Sequence, residues 1–403
     1  MNNSLKTTLH ISSLALATLL YSCGPEPATP SGPGMITENA IEWCGSIDEP
    51  TTWSNHTEGV DYVVTCLVQI KEDFTIEPGT EIVFEDDARF AVLNNALIAK
   101  GTAADPIYFR GKDGLAGEWD GIYFSSDDPA NELSYCVISG GGADATYPGN
   151  LVVHKDSKVK VTNCTFSKSG RYGIYVDGGG AYGPTPFAAY ANNTFTENTL
   201  NPISVNFGTV GQISGMGHTY TDNGEQAIEV REGRILENVV WKNANIPYHV
   251  TGLMKMMGGN LTVEAGVVMQ FDAGAGLEQG IHLDKFIKLE GTAAQPIRME
   301  SFDPAGYWKG LMIGTNNSQS VMNYVVVDRA GENKFSAASA AGAVNVGSNN
   351  NVGLELTLNH CTISNSKGYG VTGYDHSLYD LVFPALNDMT YVNNALGNTF
   401  IDL

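Results

Sequence analysis

Gly101-Thr-Ala-Ala-Asp-Pro-Ile107 returns as Gly291-Thr-Ala-Ala-Gln-Pro-Ile297, 190 residues further along the chain. Only one of the seven residues differs. Working outward, the flanking words recur in the same order. Trp119-Asp-Gly-Ile122 matches Trp308-Lys-Gly-Leu311, and Phe74-Thr-Ile-Glu-Pro-Gly79 matches Leu261-Thr-Val-Glu-Ala-Gly266. Asn163-Cys-Thr-Phe-Ser167 matches His360-Cys-Thr-Ile-Ser364, Gly173-Ile174 matches Gly370-Val371, and Tyr62-Val-Val-Thr65 matches Tyr248-His-Val-Thr251. The offset stays between 186 and 197 residues throughout. Ordered matches at a nearly fixed offset mark an internal duplication.

Each copy is a series of short runs such as Glu81-Ile-Val-Phe84, Ala96-Leu-Ile-Ala99, Ile107-Tyr-Phe109 and Gly121-Ile-Tyr-Phe124. Alternate residues in these runs are apolar, and Gly, Asn, Asp and Pro clusters separate them. That is strand periodicity broken by turn chemistry, with no helical period. A coil of three short parallel strands cannot bury its inner side alone, so stacked coils must share one core. Gly and Asn are expected at the corners, where left-handed backbone is needed. At roughly 20–25 residues per coil the chain has room for about fifteen coils.

The combined pattern resembles the right-handed parallel β-helix proteins of the pectin-lyase-like superfold, over about residues 60–400. It looks like the secreted and lipidated bacterial members, including those of Bacteroidetes. The resemblance implies an all-β solenoid. It says little about activity, because the shared residues are turn and core positions. The expected organisation is residues 1–22 as a signal peptide, 23–36 as a tether, 37–60 as an N-terminal cap, 61–236 as the first copy and 237–403 as the second.

Residues 1–22 hold one charge, Lys6, and an apolar run from Ile11 to Leu20 that is too short to span a bilayer. The run ends Leu20-Tyr21-Ser22-Cys23-Gly24, which resembles the bacterial lipobox. The resemblance implies that Cys23 is diacylated and becomes the mature N-terminus. Gly rather than Asp after Cys23 implies sorting to the outer membrane, with surface exposure favoured. More than one acyl chain gives stable anchoring. The proline-rich stretch from Gly24 to Gly34 reads as a semi-rigid tether.

Five further cysteines divide in two. Cys164 and Cys361 are equivalent in the duplication, and Cys136 sits in a similar run, so all three read as buried thiols of a core ladder. Cys44 and Cys66 lack that pattern, and Cys66 aligns with Gly252. They are expected to form a disulfide clamping the cap to the first coil. Trp119 with Trp308, and Trp53 with Trp241, are repeat-equivalent, which favours packing over a sugar platform.

Tyr147, Tyr172, Tyr175, Tyr182 and Tyr190 crowd a region with the Gly-rich insertions at 140–142 and 178–183. Loops on a rigid scaffold are where binding residues concentrate, so these are candidate glycan-stacking residues. An ordered surface loop without a ligand is the competing reading. The acidic pairs Asp86, Asp87 and Asp127, Asp128 offer oxygen ligands for Ca²⁺, or are solvated turns. No other cofactor is implied. Histidines are dispersed; Gly215-Met-Gly-His218 is faintly similar to the Gly-His-Gly of polygalacturonases.

With 22 basic and 44 acidic residues, the net charge of −22 argues against a nucleic-acid partner. The 42 % hydrophobic content provides for a core, which argues against a disordered acidic chain. The superfold contains enzymes acting on acidic polysaccharides, so polysaccharide lyase or glycoside hydrolase activity is one reading. The Arg-x-Pro-x-x-Arg base motif of pectate lyases, the polygalacturonase set and the Asp-Pro-His-Asp motif of mannuronan epimerases are absent, and the one close arginine pair is Arg231 with Arg234. The favoured reading is a non-enzymatic surface lipoprotein that binds a polysaccharide or an outer-membrane protein partner. A calcium-stabilised structural or adhesion protein is a further alternative. Replacing Cys23→Ala should move the protein from the detergent phase to the soluble fraction; continued partition into detergent would refute the lipobox reading.

Overall fold

The alternation in the short runs becomes strands with one side turned inward. In Ile107–Gly111 the residues alternate between buried and half-buried, and Phe74–Ile76 and Val159–Thr162 do the same. The computed structural model describes residues 36, 39–178, 186–215, 217–279, 284–347, 355–376 and 380–402. Within residues 33–403, which form one compact unit, consecutive coils pair in parallel. The single antiparallel pair among the described strands is Tyr369–His376 with Asp380–Val382. The chain is a right-handed parallel β-helix with three strand faces.

The core is a stack of inward side chains held in register. On the first face Ile82, Phe109, Ile138, Phe166, Phe195 and Tyr220 lie on successive coils. The repeat-equivalent column of the second copy is Tyr248, Met269, Met299, Val327, Ile363 and Tyr391; in space it continues, through Ile228, the second-face column of Ile174 and Ile203. Successive members from Ile82 to Phe195 are 27 to 29 residues apart, longer than the 20–25 expected, whereas the steps from Phe195 to Tyr220 and from Tyr248 to Met269 span 25 and 21. The third face therefore has fewer levels than fifteen coils would give. It comprises two six-stranded sheets with the helical turn Val210–Ile213 packed between them.

The Gly-Thr-Ala-Ala words are corners. Gly101 N–H donates to the Ser134 carbonyl at 2.9 Å, and Ile107 N–H to the Tyr135 carbonyl at 3.1 Å. The second copy repeats this with Gly291 on Asn323 at 2.9 Å and Ile297 on Tyr324 at 3.1 Å. A Cβ on Gly101 would sit 2.6 Å from the Tyr135 carbonyl oxygen, and one on Gly291 2.4 Å from that of Tyr324, so glycine is required. The Thr102 and Thr292 hydroxyls accept the N–H groups of Asp105 and Gln295 at 2.9 and 3.0 Å, folding each corner onto itself.

Asparagine and glycine were expected at left-handed positions, but the corners also use larger residues. Tyr135, Asn163 and Asn192 precede first-face strands with φ between 48° and 55°, and Tyr324, His360 and Asp388 repeat them with φ between 47° and 53°. Lys168, Glu197, Asp222, Arg329, Asn365 and Asn393 form the matching corner after the strand. For the larger residues among them, such as Tyr135 and Arg329, this costs about 1–2 kcal/mol each in backbone strain, whereas Asn and Asp enter that region more readily. Buried asparagines compensate by bonding backbone between coils. Asn193 Oδ1 accepts from Cys164 N–H at 3.0 Å while its amide donates to the Val161 carbonyl at 3.0 Å. Asn198 likewise accepts from Ser169 N–H and donates to the Phe166 carbonyl, both at 3.1 Å.

Equivalent aromatics pack alike. Trp119 and Trp308 are fully buried, stack on Phe84 at 3.9 Å and Phe271 at 4.1 Å, and donate to the Ser139 and Asp328 carbonyls at 2.8 Å. Trp53 and Trp241 are buried against Tyr62 and Tyr248. The Cys136, Cys164 and Cys361 thiols are buried and donate to the Ala99, Leu133 and Met322 carbonyls. Burial pushes the Cys136 and Cys361 thiols up, away from nucleophilic chemistry.

The coils begin inside the stretch expected as a cap. Ile41–Ile47 already pairs with Tyr62–Ile70, and Thr51–Trp53 with Phe74–Ile76. Each of these strands pairs on one side only, so together they form the terminal rung of the ladder. Their counterparts in the second copy are Ile228–Arg231, Gly233–Ile235 and Val239–Trp241. The structural duplicate thus starts a coil earlier than residue 237. At the seam Ile203–Asn206 of the first copy pairs with Ile228–Arg231, which pairs in turn with Tyr248–Val250.

Cys44 and Cys66 form a disulfide across the first two rungs, with Cα atoms 5.2 Å apart and a sequence separation of 22. Closing a loop of that size stabilises by about 3 kcal/mol in the chain-entropy account. The double variant Cys44→Ser, Cys66→Ser should lower the free energy of urea unfolding by about that amount. An unchanged denaturation midpoint would show that the bridge does not hold the end coils.

Candidate functional site

On the second face the outward residues of the first copy form a ladder that crosses the seam. Tyr123, Val152, Tyr175, Ser204, Glu229 and His249 are neighbours in strict register. Strands at about 4.8 Å spacing place the ends of this ladder about 24 Å apart. Val152 and Ser204 are buried, whereas the rings of Tyr123 and Tyr175 and the Glu229 side chain stay half-exposed.

Two groups of polar side chains frame the tyrosines. At the seam Glu229 accepts hydrogen bonds from Ser204 Oγ at 2.6 Å and from the Tyr172 hydroxyl at 3.1 Å. Arg231 reaches back two coils, donates to the Tyr175 hydroxyl at 2.6 Å and to the Val176 carbonyl, and lies 4.2 Å over the Tyr175 ring. Tyr172 and Tyr175 have ring centroids 5.6 Å apart. At the other end Arg89 pairs with Asp120 at 2.9 Å and lies 4.4 Å over Tyr147, which meets the Tyr123 ring edge-on at 5.3 Å.

Burial first, and then the Glu229 charge, push the Tyr172 phenol well above its ordinary range. Burial and then Asp177 raise Tyr123 in the same sense. Burial also raises the Asp120 carboxyl, against the opposing pull of Arg89. These tyrosines therefore act as neutral donors and ring platforms, not as phenolate bases. Planar rings beside a fixed carboxylate and a fixed guanidinium can stack on a ligand and hydrogen-bond its hydroxyls.

The second copy has closed its version of this surface. Met312 stands where Tyr123 does and is fully buried under Phe335 and Ala338 from the longer loop at 329–341. Lys309 lies 4.7 Å over the Phe335 ring. Thr372 replaces Tyr175, is buried, and donates to Asn345 Oδ1 at 2.8 Å. One face of the duplicated pair is open and the other is sealed.

Of the five tyrosines singled out in the sequence, the structure brings Tyr147, Tyr172 and Tyr175 to this face. Tyr190 is a correction: it packs on the core beside Phe187 and His218, with its hydroxyl buried, because its strand turns that side inward. Tyr182 and Cys23 lie outside the described residues. His218 is half-buried beside the rings of Tyr190 and Tyr220. Burial draws its imidazole down to about 4, and its Nδ1 accepts Asn193 N–H at 3.2 Å. Asp86, Asp87 and Asp127 are exposed, and Asp128 caps Ala130 N–H at 2.8 Å. Among the described residues no three acidic, histidine or cysteine side chains converge as a metal-ligand set.

Tyr123, Arg89, Asp120, Ser204 and Glu229 escaped the sequence reading, and Arg231 was noted only for its closeness to Arg234. Their shared signal is the coil period, which aligns outward positions only once the strand register is known.

A family description reading "right handed beta helix region" matches residues 149–285. The chain carries a right-handed β-helix region. That region contains Tyr172, Tyr175, Ser204, Glu229, Arg231 and His249, so the seam half of the ladder lies within it. No curated protein and no solved structure matches the chain significantly.

Glu229→Gln preserves the shape of the carboxylate while removing its charge. Ultraviolet titration of the tyrosines should then show one phenol ionising at lower pH than in the parent, because the Glu229 charge no longer opposes a Tyr172 phenolate. An unchanged titration would mean that the Tyr172–Glu229 contact does not persist in solution.

Proposed function

We propose that the protein is a surface lipoprotein of the bacterial outer membrane that binds glycans non-enzymatically on the outward ladder of its first copy. The observation that carries this reading is the half-exposed set Tyr123, Tyr147, Tyr172 and Tyr175, brought together by register and framed by Arg89 and Arg231. Tyrosine rings with a polar edge suit sugar rings, which present a C–H face and a rim of hydroxyls. The carboxylates Asp120 and Glu229 beside the rings, and the net charge of −22, favour a neutral glycan over a polyanion.

The binding role is preferred to lyase or hydrolase chemistry on local grounds. Proton abstraction needs a base near the working pH. Tyr172 is held as a phenol, and Glu229 is occupied by the Tyr172 and Ser204 hydroxyls. A protein partner is less favoured, since the exposed large hydrophobics among the described residues, such as Leu115, Leu236 and Leu396, sit on separate coils. Among the described residues no helix is long and apolar enough to cross a membrane, and the proposed anchor is the lipid on Cys23.

Affinity electrophoresis against a panel of neutral and acidic polysaccharides tests the reading. The parent protein should be retarded by at least one neutral glycan without shortening it. Tyr175→Ala should weaken that retention by about tenfold, the loss of one stacking contact and one hydrogen bond. Cleavage products would shift the assignment to an enzyme, and retention unaffected by Tyr175→Ala would remove the ladder as the site.

A further inference from the structure

We infer that His249 is a proton-operated latch on the seam between the two copies. Its Nδ1 lies 2.7 Å from Glu225 Oε1 and its Nε2 lies 3.0 Å from Asp272 Oδ1. Ionised carboxylates only accept hydrogen bonds, so both contacts require a ring N–H, and only the imidazolium has two. A neutral imidazole keeps one N–H and turns a lone pair on the other carboxylate, so one arm must open.

The latch ties together segments from four successive coils. Glu225 precedes the seam strand Ile228–Arg231, His249 lies in Tyr248–Val250, and Asp272 follows Val268–Phe271. From the fourth coil Phe302 stacks on the imidazole at 3.8 Å with the planes 10° apart. The flanking ladder neighbours are Glu229 and Gln270, and beyond Gln270 is Glu300, which pairs with Arg298 at 3.0 Å. Apart from the imidazolium itself, the charged groups nearest the ring are thus carboxylates. The His249 side chain is 9 % exposed.

The first copy shows what the position does without a latch. The counterpart of His249 is Val63, which packs in a small apolar cluster with Val60 and Val83. The second copy has exchanged an apolar contact that ignores pH for one that depends on a proton. Burial alone draws the imidazole down, but the bonds to Glu225 and Asp272 outweigh it and leave the group raised. The latch therefore stabilises fully below the ordinary histidine range and is lost as pH rises through the higher folded value.

The test uses the full chain. A histidine C–H titration by NMR should place His249 above the unperturbed value of about 6.5. The thermal midpoint of the parent, measured against that of His249→Val, should fall by several degrees between about pH 6 and about pH 9. Hydrogen exchange at residues 223–229 should accelerate in the parent over that interval relative to the variant. A His249 midpoint at or below the ordinary value, or parallel pH profiles for parent and variant, would overturn the latch. If His249→Val does not fold, Glu225→Gln serves, and it must bring the His249 midpoint down; failure to do so overturns the proposal equally.

Discussion

Parallel backbone hydrogen bonding between coils is the constraint on which the rest depends. A strand here gains partners only from the coil before and the coil after, so every corner must return the chain to the same height and direction. That requirement explains left-handed backbone at bulky residues such as Tyr135 and Arg329, where intrinsic preference opposes it. The strain persists because Asn193 and Asn198 bond backbone in adjacent coils, converting corner geometry into inter-coil connection. Local conformational cost is offset by a ladder that no single coil could form.

The duplication separates what the scaffold needs from what it carries. Residues that recur and are buried in both copies, such as Trp119 and Trp308, serve the coil. Residues that differ on the outward side record divergent use. Tyr123 against Met312, and Tyr175 against Thr372, mark an open face and a sealed one, and Val63 against His249 marks an apolar contact replaced by an ionic one. At the seam Glu229 and Arg231 extend back over the first copy.

Much of the fold was legible in the sequence. Alternation in the short runs and the recurrence of Gly-Thr-Ala-Ala-x-Pro-Ile follow from inward packing and corner sterics, both of which act locally. The Cys44–Cys66 bridge was legible because those thiols stand outside the repeat. Coil length was not legible, since loops of differing size hide the period until strands are paired. The site was half legible: aromatic crowding pointed to Tyr147, Tyr172 and Tyr175. Tyr190 misled because strand alternation decides which side a ring faces, and one residue of offset reverses it. Glu229 lies 57 residues from Tyr172, and only inter-coil register brings the two together.

The position of the disulfide has a mechanical consequence. Tension applied at the amino end would peel the Ile41–Ile47 strand from its neighbour one hydrogen bond at a time, the weakest direction in which a sheet can be loaded. The pairs at Ile41, Glu42 and Trp43 lie ahead of Cys44. Beyond them the pull passes through sulfur into Cys66, within the strand of the following rung. From that point the load no longer travels along the first strand, and the solenoid resists as a body rather than unzipping from its edge.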